Sequence, residues 1–556
     1  MVLLTQLPPE ILTHILSFVA PEDLARVNTV CWYLYDAVKD NNALFRAVYL
    51  NHLDPPPTTK PNWIQEVQDL VKLKRICAST GPDKRKYLSF VYNTATRLLH
   101  RSASQGARPR LSVTYDASRN TNILRECFSS PSTIDAFLCQ SFLFQRARAP
   151  VPVKNFGPHK QPPDEERQMS AKLHCLYGVP ILNYGRTRGS KTYPFACSKV
   201  YDIREYTQRT RWGPFLDEGP GPIGSEGNEE AQKGVSEDRI DWEKVEAIMI
   251  VLWANMSSKG LDHLPVFKHF WDVPFAGCWP NSYIPSPTNR RVTSLELEDP
   301  YDVTGTWLRV VCFLDYNDFF AYNFPPHDDL PANLPRPALE EGEATRLIIM
   351  KVHVTKIEPP GPEDGQSLPV VYFEGFSRSL DSSWDENANS DLRGSVRLTR
   401  EGEVRWTSFS LFSGQARWRS EGIQLGGIRS CKVVGNWFDK DYDPSGPCGP
   451  TAFWKIGDRH PSSNDNRITT YDFLPIVDGY ESDVEHGHAP ENNMEEAGIL
   501  GILQVNSDDE EYQEEEEDDG IDDQDDEPGS SAVEDEIENL PGQEDGVDND
   551  WVFLRE

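Results

Sequence analysis

Three short apolar runs at helical spacing crowd the first fifty positions of this chain, and so short a stretch cannot bury them all. Pro8 and Pro9 open the first run, where a missing backbone N–H costs nothing. Ile11, Leu12, Ile15 and Leu16 then fall on one helical face. Pro21 starts the second run, which carries Leu24 and Val27. The third holds Val30, Leu34, Val38, Leu44 and Phe45. A body of this size is too small to enclose three amphipathic helices. Part of that apolar surface is expected to meet a partner.

The chain continues to 556 residues, enough for two to four units at roughly 100–200 residues each. Asp54–Pro61 holds four prolines and reads as a linker. Residues 62–101 look helical and basic, with Trp63, Ile64, Val67, Leu70, Val71, Leu73 and Ile76 as the apolar face. From 111 to 240 the signals are mixed, although 164–177 reads as one helix and Gly213–Gly234 as a Gly-, Pro- and Glu-rich loop. Asp241–Met256 reads as a buried helix. Beyond it the texture turns to strands at 306–324, 346–357, 370–376, 395–399, 403–411, 416–420 and 430–438, with Glu401-Gly402 as a tight turn. Seven or so short strands predict an antiparallel barrel or sandwich.

Net charge is −33, but it is segregated. Residues 481–556 carry thirty acids against one base, Arg555, so the rest is close to neutral. An unbroken acid run, Glu514–Asp519, and the loss of apolar periodicity predict a disordered tail. Ser507-Asp-Asp-Glu510 offers an acidophilic kinase context at Ser507. Trp551–Leu554 is an apolar island that could dock near Lys84. The ten cysteines show no zinc spacing, and Met1–Leu7 has neither a basic start nor a long apolar core. Reduced, buried thiols in the cytoplasm or nucleus are therefore expected, and no membrane span.

Leu7–Phe45 reads LPPEILTHILSFVAPEDLARVNTVCWYLYDAVKDNNALF. Its Leu-Pro, Glu-Ile-Leu, Pro-x-Asp-Leu, Val-Cys and closing Leu-aromatic, in that order, resemble the F-box family. Phe45 stands where that family has Trp. The resemblance implies a three-helix unit over 4–53 that docks on a Skp-type adaptor and through it on a cullin. It divides Leu7, Pro8, Glu10, Ile11, Leu12, Ile15, Leu16, Leu24, Val30, Cys31, Leu34 and Phe45 between adaptor interface and internal core. A cap packed on its own chain is the plainer alternative. Thr304–Trp307, Glu403–Trp406, Ala416–Gly422 and Gly435–Asp443, with Gly446-Pro447 and Phe453-Trp454, resemble the C-terminal half of a set of fungal F-box proteins. Gly-x-Trp occurs twice, at Gly305–Trp307 and Gly435–Trp437, which is similar to barrel folds in which a first-strand Trp plugs one end.

The sharper site readings each have a bland rival. Arg405, Arg417 and Arg419 could line a substrate surface, since Arg and Trp dominate binding hot spots. Equally, Trp406 and Trp418 could be core, with the arginines as solvent-facing neighbours at alternate strand positions. Asp439, Asp441 and Asp443 alternate as in a calcium loop, but Pro444 and Pro450 stand where that loop needs Gly and Glu. An Asx-bonded turn is the better reading, and no metal is expected. Lys60–Arg110 carries eleven bases and three acids. It has no nucleic-acid motif and reads as a solvated helix face, so no nucleic-acid partner is expected. No Walker A loop, GxSxG, HExxH or dinucleotide fingerprint occurs.

These readings predict an α+β multidomain chain. Its parts are the F-box at 4–53, a linker and basic helical segment at 54–110, and a mixed α/β middle at 111–299. A barrel-like, β-rich substrate domain at 300–457 and a disordered acidic tail at 479–556 complete it. The implied function is substrate recognition for an SCF-type ubiquitin ligase, non-catalytic and without cofactor, toward an unidentified protein substrate. The alternatives are an F-box scaffold outside a ligase, or a β-barrel that senses or binds a small ligand.

Overall fold

The computed structural model describes residues 6–56, 61–102, 118–148, 165–183, 188–217, 238–261, 267, 271–275, 293–326, 334–380, 389–430 and 432–457. Ser507, the acidic tail and most of the Gly213–Gly234 loop lie outside them. The first fifty residues form α1 (Pro9–Ser17), α2 (Pro21–Val27), α3 (Trp32–Val38) and α4 (Asn42–His52). The third apolar run is thus two helices. Asp40 takes a positive φ of 53°, which stops α3, and the Asn41 side chain accepts from Leu44 N to restart the chain as α4. Leu12, Leu16, Leu24, Leu34, Val38, Leu44, Phe45, Val48 and Tyr49 form the buried core of this unit.

The basic stretch becomes α5 (Trp63–Ala78) and α6 (Leu88–His100). Much of its charge is paired within the protein. Arg97 reaches Asp69 at 2.6 Å and Glu66 at 3.2 Å, and Arg101 reaches Glu66 at 3.0 Å. Lys84 is buried and donates to Ser79 O at 2.8 Å and Ser132 Oγ at 2.9 Å. The expected solvated basic face is therefore only partly free.

The middle is helical. It comprises α7 (Arg119–Cys127), α8 (Pro131–Phe137), α9 (Phe142–Arg148), α10 (Glu165–Tyr177), α11 (Arg188–Tyr201) and α12 (Trp242–Ser258). Among the described residues of this region, Phe215–Ile240 is its single strand-type pairing. Helix α12 is capped by Asp241, whose carboxylate accepts from Glu243 N and Lys244 N. It is apolar nearly all round, which suits a central helix enclosed by others.

After α13 (Ser294–Glu298) come eight strands: β1 (Gly305–Leu314), β2 (Glu343–Glu358), β3 (Val370–Ser379), β4 (Asn389–Leu398), β5 (Val404–Phe412), β6 (Gln415–Leu425), β7 (Lys432–Asp439) and β8 (Cys448–Gly457). Each pairs antiparallel with the next, and β8 closes on β1. The C-terminal half is a closed barrel, which leaves no free sheet edge.

Two sequence readings are corrected here. The run 306–324 is β1 followed by a helix, α14 (Tyr316–Asn323), because Asp315 caps its start by accepting from Asn317 N at 2.8 Å. The eighth strand, β8, was hidden by Gly449 and Pro450, which resemble a turn but sit in the ladder opposite Trp437 and Asn436. Glu401-Gly402 forms the expected turn, with Gly402 at φ 88°.

Side chains alternate between lumen and outer wall. Trp307, Phe373, Trp406 and Phe453 plug one end of the lumen, with Trp307 Nε1 donating to Val303 O at 3.0 Å. Leu308, Val310, Ile349, Ile423, Val434 and Trp454 face outward and join one core with α11 and α12. The half-buried Glu343 of β2 fastens that seam by accepting from Tyr193 Oη at 2.8 Å, Asn255 Nδ2 at 2.6 Å and the Tyr201 hydroxyl.

Candidate docking face

Helix α1 carries two apolar stripes. Leu12 and Leu16 point inward and are buried, while Ile11, Ile15 and Phe18 point outward at 49%, 41% and 66% exposure. Val30, at 69%, and Trp32, at 76%, extend that outward patch at the start of α3. Tyr33 Oη donates to Leu7 O at 3.2 Å and ties the chain's opening segment to α3. Monomeric proteins rarely leave so many large apolar side chains exposed together, and such a patch marks an interaction surface.

The predicted adaptor residues therefore separate into two groups. Leu12, Leu16, Leu24, Leu34 and Phe45 are core, and Leu7 is half-buried. Pro8, Glu10, Ile11, Ile15, Val30 and Cys31 are exposed. Phe18, Trp32 and Tyr33 join them, although sequence reasoning did not select these three. Their signal was legible: Phe18 follows Ile11 and Ile15 at i+7 and i+3, and Trp32 adjoins Cys31. Of the eight free cysteines among the described residues, Cys31 alone is exposed.

The structure separates the three barrel arginines. Arg405 is not on the surface. Its Nε donates to Glu421 at 2.9 Å and its Nη1 to Asp238 at 3.1 Å, with the guanidinium over the Phe215 ring. Arg419 is half-buried and also bonds Glu421, whereas Arg417 is exposed beside Trp418. Trp406 is core and Trp418 half-buried. The aspartates of the 439–443 turn bond within it: Asp439 accepts from Asp441 N and Asp443 from Ser445 N. A second exposed apolar row, Tyr316, Phe320 and Phe324, lies along α14 near Glu340 and Glu341. Beside it, Asp318, Tyr322 and Leu339 line a cleft of about 320 Å³.

One titratable pair is fully enclosed. His174 Nδ1 lies 2.6 Å from Glu246 Oε1, and neither side chain touches solvent. Burial pushes His174 down to about 3 and Glu246 up to about 8. Both are therefore neutral near pH 7, and the Glu246 carboxyl donates to the ring. The raised carboxyl favours folding below its unfolded value near 4.5, and that contribution is lost as pH rises toward 8. Glu246→Gln keeps a donor without the titration. The variant is expected to match the wild type in thermal unfolding at pH 5 and to exceed it at pH 8. An unchanged difference across that range refutes the neutral pair.

Residues 4–51 match the family model described as F-box-like. The chain carries an F-box-like domain there, and F-box domains generally bind Skp-type adaptors. An adaptor-binding role of the SCF type in general follows. No curated protein and no solved structure matches the chain. Among the described residues, no helix is long and apolar enough to cross a membrane.

Proposed function

We propose that this chain is the substrate-recognition subunit of an SCF-type ubiquitin ligase. Its F-box-like domain docks on a Skp-type adaptor and so on a cullin, and its helical-and-barrel body holds a protein substrate. The exposed stripe of Ile11, Ile15, Phe18, Val30 and Trp32 carries this reading, because it lies within the matched residues and is left exposed among the described residues. Such a subunit needs no catalytic residue. Holding a substrate beside a charged ubiquitin carrier raises effective concentration, and that suffices. The α14 aromatic row with Glu340 and Glu341 suits an apolar substrate segment bearing basic residues, and Arg417 is the exposed member of the predicted arginines. The reading places the chain in the cytoplasm or nucleus.

Co-purification tests it. Wild type is expected to recover both adaptor and cullin, and the double change Leu7→Ala, Pro8→Ala neither. Adaptor without cullin would favour a scaffold outside a ligase. Recovery of neither by wild type rejects the docking reading.

A further inference from the structure

The strand register assigns the barrel lumen residue by residue, since inward and outward positions alternate on every strand. One end is filled with rings, Trp307, Trp406, Phe373 and Phe453, whose centroids lie 5.1 to 5.6 Å apart. Toward the other end the inward positions become small: Ser377, Ser379, Ser390, Ser408, Ser410 and Ser420. An eight-stranded barrel is just wide enough to be filled by large side chains or to hold one small ligand, and serines do not fill it. The larger inward residues on that side, Phe313, Ile348, Trp418 and Trp437, are only half-buried.

Arg309 stands where the ring plug ends. It is 6% exposed, with Nε donating to Thr451 Oγ1 at 2.9 Å and Nη2 to Ser420 Oγ at 2.6 Å. Among the described residues no carboxylate reaches it. Burial pushes its pKa down to about 10, so it remains a cation at neutral pH. Several other buried cations of this chain are neutralised: Arg405 has Glu421 and Asp238, Arg336 has Asp202, and Lys172 has Glu403. Lys84, Arg146 and Lys244 are buried in the helical body with no carboxylate at bonding distance among the described residues, whereas Arg309 faces the lumen. Buried charges are normally paired because desolvating them is costly.

Two neighbours point the same way. Arg309 faces Ile348 and Val311 faces Arg346, so Arg346 is an inward diagonal neighbour, at a separation of about 7–8 Å for such positions. It lies over the Phe313 ring and likewise has no carboxylate partner among the described residues. Ser379, opposite Ile348 on the next strand, is fully buried, and its hydroxyl has no hydrogen-bond partner among the described residues. An enclosed hydroxyl without a partner is itself costly.

We propose that the open half of the lumen binds a small organic carboxylate with an apolar body, its head on Arg309 and its body against Phe313, Ile348 and Trp418. Arg309 offers one deep positive charge, which one carboxylate neutralises, and a guanidinium fork matches carboxylate geometry. A peptide is a poorer occupant. All eight strands are paired with their neighbours, so no sheet edge remains to bond a peptide backbone. The binding goes beyond the ligase reading and needs neither adaptor nor cullin, so each can fail without the other.

The test is calorimetric titration of the full chain with decanoate and with decanol, which share a body and differ in charge. One decanoate per chain is expected, bound at least about tenfold more tightly than decanol. Arg309→Met is expected to erase that preference. It should also raise the unfolding temperature of the ligand-free chain, by about 2 °C or more, because an uncompensated buried charge is gone. A purely structural arginine would give the opposite shift. Should the Met variant not fold, Arg309→Lys keeps the charge but loses the fork. It is expected to weaken decanoate about tenfold and leave decanol unchanged. Equal affinity of wild type for the two probes, binding of neither, or unchanged decanoate affinity in the Lys variant overturns the proposal. So does a free-acid apolar peptide that binds more tightly than decanoate.

Discussion

Glu421→Ala is expected to destabilise the body of the protein by about 3–5 kcal/mol, the usual result of removing one partner from a buried charge network. Glu421 is fully enclosed on the outer wall of β6. It accepts from Arg405 Nε at 2.9 Å, from Thr407 Oγ1 at 2.9 Å and from Arg419 Nε at 2.9 Å. Burial alone would raise its pKa, but the guanidiniums of Arg405 and Arg419 outweigh that and hold it below the usual carboxylate range. The sign follows. A lowered folded pKa stabilises above the unfolded value near 4.5 and is lost as pH falls through the folded one. Wild type should therefore lose stability in acid, and the Ala variant should show less of that loss. Urea unfolding followed by tryptophan fluorescence at pH 7 and pH 4 reads both effects. A shift under about 1 kcal/mol at pH 7 would mean that the arginines find solvent once released, contrary to their burial.

That network also shows what the sequence could and could not display. Arg405 and Arg419 stood out because they alternate with tryptophans, and alternation correctly predicted strands. It could not tell which face of the wall meets solvent. That depends on Asp238 and Phe215, about 170 and 190 residues upstream, which lie against Arg405 once the middle helices cover the barrel. Lys84 failed as a solvated residue for a related reason. Its partners Ser132 and Thr133 lie on α8, brought there by tertiary packing rather than by local pattern. The lumen was legible in part: Gly305–Trp307 marked the plug, and the structure puts Trp307 there. The unpaired Arg309 looks like any strand arginine until β8 closes on β1 and places it inside.

Within the F-box-like domain, local pattern carried more of the answer, since its helices are short and contiguous. Yet the apolar positions of α1 serve two roles that a list of hydrophobic residues does not separate. The structure separates them, and a pair of double variants tests the separation. Ile11→Asp with Ile15→Asp alters only outward side chains, so the unfolding midpoint should move little, by about 0.5 kcal/mol per exposed site. Adaptor capture should fall by about 100-fold or more, because each change puts a charge into an apolar contact where single hot spots contribute about 2 kcal/mol or more. Leu12→Ala with Leu16→Ala removes inward side chains from the same helix. Each should cost about 2–5 kcal/mol by leaving a cavity in a core of four short helices. Capture should fall here too, but together with the helical signal of the domain. Binding lost without stability in the first pair, and with it in the second, is the signature of a docking face over a separate core. If the first pair captures adaptor as the wild type does, the outward stripe is not the docking face. The apolar patch that led to the ligase reading would then have to be covered by something other than the adaptor.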